Sequence, residues 1–139
     1  MVRFRMFRIS TGQFAILSTE APQGNVDITT NMELKHAIDG SAVQVHAIFS
    51  FNEKDKQVIV MDTTCEFAIH PDDLRSITKD GQVVIPKDVI DYFIAQTVGT
   101  ARGILHCKTE GTPFNGIIIP PMNVTDMFKE DMVIDLSSK

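Results

Sequence analysis

The chain has 139 residues, of which 43% are hydrophobic and 22% charged, and its formal net charge is −5. That length suits one domain, 1–139, with its own core, and the composition lacks the low hydrophobicity and high charge of a disordered chain. The negative balance argues against a general nucleic-acid binder, which needs a basic face to displace counterions from phosphates.

The opening MVRFRMFRIS is interrupted by Arg3, Arg5 and Arg8, which leaves no apolar segment of signal-peptide length. The longest apolar stretch, around GIIIPPM, falls far short of the roughly 18 residues that span a bilayer. The expectation is a cytoplasmic protein with no membrane insertion. Cys65 and Cys107 lie far apart with no CxxC pair, so they read as buried free thiols and suggest neither a redox motif nor a zinc site.

Residues 3–17 read as a strand, with Phe4, Met6 and Arg8 on one face and Arg5, Phe7 and Ile9 on the other, broken by a bulge or turn at Gly12. Breakers fill residues 21–25. After them Val26, Ile28, Met32, Leu34 and Ile38 alternate with Asp27, Asn31, Glu33 and Lys35, the pattern of a half-buried strand. Asp39-Gly40 matches a type I′ hairpin turn, with Ser41 leaving room for a longer loop. A third strand spans residues 43–51, with Val45, Ala47, Phe49 and Phe51 on one face, and ends at a solvated tip around Lys54-Asp55-Lys56. A fourth spans residues 57–69. Four consecutive strands predict an antiparallel meander.

Asp72-Asp73-Leu74 reads as a turn or short helix, ended by Lys79-Asp80-Gly81. Pro86 and Asp88 then mark a helix start, and Ile90, Phe93, Ile94, Thr97, Ala101, Ile104 and Leu105 make one apolar stripe over a helix of about residues 87–107. Gly99 and Gly103 share a face of it, which suggests close approach, either to the sheet of the same chain or to a second subunit. An apolar coil runs from Phe114 to Met122, and a short final helix is expected from Val124 to about Asp131. The predicted fold is α+β: a four-stranded antiparallel meander sheet with a long helix and a short C-terminal helix packed on one face.

This order of elements, with GTPFNGIIIPPMNVTDMF at residues 111–128, VQVHAIFSFNEKDKQVIVMDTTCEFAI and TEAP, resembles the SecB-like family of protein-export chaperones. The resemblance implies a holdase for unfolded preproteins, assembled as a homotetramer (a dimer of dimers), which hands clients to the motor SecA without metal, nucleotide or other cofactor. Gly99 and Gly103 then fall at the oligomer interface. The positions matching the family's acidic docking surface are Gln13, Leu17 and Val60, none of them acidic. Docking would use another surface, such as Glu53, Asp55 and Glu66, or the partner differs, as in the family's toxin–antitoxin branch.

A holdase needs exposed apolar area and non-directional contacts, and seven Met and nine Phe supply adaptable side chains. Phe114, Ile117, Ile118, Ile119 and Met122 of the coil, with Met127 and Phe128 beyond it, are the candidate client-binding groove, and Phe49 and Phe51 rank after them. Each also suits a plain core role. No catalytic role is expected: His70-Pro71-Asp72-Asp73 is the best acid/base candidate, but it is also ordinary turn chemistry. His36, His46 and His106 read as hydrogen-bonded or dipole-facing residues. A small-molecule or peptide-binding domain is the alternative class.

Overall fold

The computed structural model describes residues 1–137. Strands β1 (Phe4–Ile16), β2 (Asp27–His36), β3 (Ala42–Glu53) and β4 (Lys56–Ile69) form one antiparallel sheet. Its order is β1-β4-β3-β2, so only β2, β3 and β4 make the expected meander, and β1 lies on the far edge. The reason is the connection through residues 17–26, which is too long and too rich in breakers to be a tight hairpin. It crosses the end of the sheet instead. The Glu53 carboxylate, at the tip of the β3–β4 hairpin, holds it by accepting the N–H groups of Gln23 (2.6 Å) and Gly24.

Alternation sets the two faces of the sheet. Val43, Val45, Ala47, Phe49 and Phe51 of β3, and Met61, Thr63, Cys65, Phe67 and Ile69 of β4, are all buried on the inner face. Their β1 partners change parity twice, because the register shifts between Met6 and Arg8 and again between Thr11 and Phe14. The first shift turns Arg8 outward to pair with Glu66 and puts Ile9 opposite Cys65, the reverse of a simple alternation.

After α1 (Pro71–Ser76), short strands β5 (Thr78–Lys79) and β6 (Gln82–Ile85) form a hairpin, and β7 (Met132–Asp135) pairs antiparallel with β6. The two Asp-Gly pairs behave differently. Asp80 and Gly81, at φ 54° and 78°, have the two left-handed residues of a type I′ turn. At Asp39-Gly40 only the glycine is left-handed, so that loop is longer and is closed by the Ala37 N–H on the Ala42 carbonyl at 2.9 Å. Ile38 consequently leaves the strand pattern and is 83% exposed.

The long helix α2 (Lys87–Thr109) lies across the inner face of the sheet and buries Ile90, Phe93, Ile94, Thr97, Ala101 and Leu105 of the expected stripe, while its seventh member, Ile104, is half-buried. Phe93 stacks on Phe67 with ring centroids 4.4 Å apart, and Phe4 meets it edge-on at 4.8 Å. The helix starts behind Pro86, which offers no side-chain cap, and the Asp131 carboxylate accepts the free Lys87 N–H at 2.7 Å. The final helix shortens to one 3-10 turn, Val124–Asp126, because the β-branched residues after Asp131 pair with β6. Cys65 is fully buried as expected, whereas Cys107 is exposed on α2.

Candidate functional site

The two edges of the large sheet differ. β1 carries both register shifts, whereas β2 pairs with β3 from Asp27 to His36 without a break, and among the described residues no strand pairs with its other side. A ten-residue edge without a bulge offers a row of free N–H and C=O groups to an extended chain. Beside it lies a groove of about 380 Å³ on the inner side, lined by Leu34 of β2, Ile90 of α2, Met127 and Phe128 with the charged Lys129, Glu130 and Asp131 from the segment between the 3-10 turn and β7, and Met132 of β7. The Lys87 ammonium braces that segment against α2, bonding Asp91 at 2.8 Å and the Thr125 carbonyl at 2.9 Å. Backbone groups at the edge and soft side chains below it can hold a strand while reading little of its sequence.

Of the residues singled out from the sequence, Met127 and Phe128 line this groove and are half-buried. Ile117 and Met122 are also half-buried, and Ile118 is 62% exposed, but these three lie outside the groove lining. Phe114 and Ile119 are core residues, the second because the Arg102 guanidinium pulls the coil onto α2 through the Ile119 and Pro120 carbonyls at 2.6 and 3.0 Å. Phe49 and Phe51 are also wholly enclosed, opposite Met61 and Ile59 of β4, so a client cannot reach them without unfolding the sheet. Leu34 and Met132 were missed as site residues. Leu34 was legible as an inward strand residue, but nothing local placed Met132 in a strand beside it.

Gly99 and Gly103 do not touch the sheet. A Cβ at either would meet nothing within 4 Å, and they run with Gln96 and Cys107 up an exposed face of α2. Close packing within the chain is thereby excluded as their reason.

The acidic residues considered for docking are dispersed. Glu53 holds the 17–26 connection, Glu66 faces Arg8 at 3.3 Å, and Asp55 sits at the hairpin tip, some ten residues or roughly 33 Å from Glu66 along β4. Gln13 and Leu17 are exposed and Val60 is half-buried.

The histidine–carboxylate run is the start of α1. His70 Nδ1 accepts the Asp72 N–H at 3.2 Å, Asp72 pairs with Arg75, and Asp73 is clasped by Arg3 at 2.9 Å. Hydrogen bonds from Arg3 hold the Asp73 carboxyl down at a pKa of about 2. On the outer face His46 lies between Glu33 (Nδ1, 3.1 Å) and Asp62 (Nε2, 3.0 Å). Gly12 makes room for that Asp62 carboxylate, since a Cβ there would collide with it. Among the described residues no cluster of His, Cys, Asp or Glu is arranged to hold a metal ion, and no helix is long and apolar enough to cross a membrane.

No protein-family model matches the sequence, and comparison with curated proteins finds no match. Among solved structures the chain is similar to the SecB-like chaperone of Mycobacterium tuberculosis, solved in complex with a ChAD peptide from the HigA1 antitoxin. The TM-score is 0.50 at 14% identity, over 88% of this chain and 90% of that one. At that identity the likeness is one of fold: this chain has the architecture of a SecB-like chaperone.

Proposed function

We propose that this chain is a holdase chaperone, which binds unfolded polypeptide, preproteins awaiting export among its clients, and performs no catalysis. The observation that carries the reading is the uninterrupted β2 edge with the Leu34–Phe128–Met132 groove beside it. An extended client would pair with β2 through its backbone and drop alternate side chains into the groove. The work is done in the cytoplasm, by a homotetramer built as a dimer of dimers in which the α2 faces bearing Gly99 and Gly103 pack together. Hand-over to SecA would use a surface other than Gln13, Leu17 and Val60, since none of these is charged.

The test is suppression of aggregation when an unfolded preprotein is diluted into buffer, with particle mass followed by light scattering. Replacing Phe128 removes on the order of 1–2 kcal/mol of apolar contact, roughly a tenfold loss of client affinity. Met127→Ser/Phe128→Ser should therefore protect poorly, while Ile118→Ser, away from the groove, protects like the parent. Equal protection by all three proteins would refute the groove assignment, and no protection by the parent would refute the holdase reading.

A second reading, a chaperone dedicated to an antitoxin, is favoured by the peptide bound to the similar structure. It predicts tight binding of one antitoxin segment and weak suppression of general aggregation.

A further inference from the structure

The outer face of the sheet carries a second cleft, at the corner where β1 begins. It has a volume of about 460 Å³. Its floor is made by Ala68 of β4 and Ala42 of β3, in register with each other and with Arg5 of β1. Larger residues at those two positions would close it. Phe7 and Arg5 stand on one side, and His70 on another.

Charge at this corner runs against that of the molecule. The chain carries −5 overall, yet Arg3, Arg5 and Arg8 fall together at the start of β1. Two of them are neutralised, Arg3 by Asp73 at 2.9 Å and Arg8 by Glu66 at 3.3 Å. Arg5 has no carboxylate within 4 Å among the described residues, and its guanidinium lies 5.8 Å from the centre of the Phe7 ring. Such a cation keeps its planar fork of donors free for a carboxylate while its stem and the ring offer apolar surface. At the rim, His70 Nδ1 is already accepting the Asp72 N–H, so the neutral ring carries its proton on Nε2, a further donor.

We propose that this cleft binds an acidic peptide segment, in which one apolar side chain sits on the Ala42–Ala68 floor and a flanking carboxylate pairs with Arg5. A peptide is preferred because the cleft opens beside β1, an edge strand with no partner on its outer side among the described residues, so an extended chain can run along it. The site is separate from the proposed client groove. It lies on the opposite face of the sheet and at the opposite edge, and its free charge is the cation Arg5.

The experiment is fluorescence anisotropy with a short labelled peptide of Asp and Glu around a single Phe, and a second peptide with Lys replacing every acid. The acidic peptide should bind, more weakly as salt rises, and the Lys peptide should neither bind nor compete. Arg5→Glu should weaken binding by about tenfold or more, and Ala68→Leu, which fills the floor without touching charge, should weaken it at every salt concentration. Circular dichroism checks that both variants fold, and both should suppress aggregation like the parent, which separates this site from the holdase reading. Equal affinity for the two peptides, no binding of the acidic one, or an Arg5→Glu variant that binds unchanged would each overturn the proposal.

Discussion

The double substitution Gly99→Ala/Gly103→Ala has opposite consequences for a free and a packed α2 face. In an exposed helix each glycine costs about 1 kcal/mol relative to alanine, and in the single chain neither new methyl meets any atom within 4 Å. An isolated chain should therefore gain about 2 kcal/mol, which at this size raises the melting temperature by roughly 4–8 °C. If the face packs closely against another copy, the methyls enter a filled contact, where overpacking costs typically 1–3 kcal/mol each. The gain then becomes a loss, and assembly weakens. The assay is thermal unfolding at several protein concentrations together with light scattering after size exclusion, because the melting temperature of an assembly rises with concentration. A tetrameric parent should give a variant of lower mass and lower melting temperature. A variant with unchanged mass and a raised melting temperature would refute the assignment of this helix face to the interface.

Native alkylation should label Cys107 and leave Cys65 untouched, because burial pushes the Cys65 thiol up; mass spectrometry showing both labelled would contradict the core arrangement. Gly12→Ala should push the Asp62 carboxylate off His46 and cost on the order of 1–2 kcal/mol in urea denaturation, and a variant as stable as the parent would mean that the contact contributes nothing. Asp73, whose pKa falls from the ordinary 3.8 to about 2 on folding, stabilises the fold fully above pH 3.8. That contribution fades as the pH falls towards 2, so the stability difference between the parent and Asp73→Asn should be flat above the window and shrink through it. A difference independent of pH would show that Arg3 does not hold the carboxylate.

The elements with strong periodicity were legible. The stripe from Ile90 to Leu105 placed α2, and the inward residues of β3 came directly from alternation. Strand order was harder to read, because a connection such as residues 17–26 states only that no tight turn is made; the far edge of the sheet is chosen by pairing with β4. β7 was missed since a strand of four residues carries too little pattern against the nearby helical signal. The site divided along the same line. An apolar coil announces that side chains must go somewhere, but whether Phe114 and Ile119 point into the core or Met127 and Phe128 into a groove depends on where Arg102 and Lys87 tie the segment to α2.

The placement of β1 fixes an order of events during synthesis. Its partners run from Ile59, opposite Ile16, to Ile69, opposite Phe4, so the strand made first pairs with the one made last in the sheet. While β2, β3 and β4 join as successive hairpins, β1 has no mate, and the outer side of β4 stays open until residues 17–26 have swung across the end of the sheet. Non-local pairing of this kind is slow, since the loop must close before any contact rewards it. For that interval the chain exposes the apolar outer side of β4, and the segment that waits to cover it carries Arg3, Arg5 and Arg8 among its apolar residues.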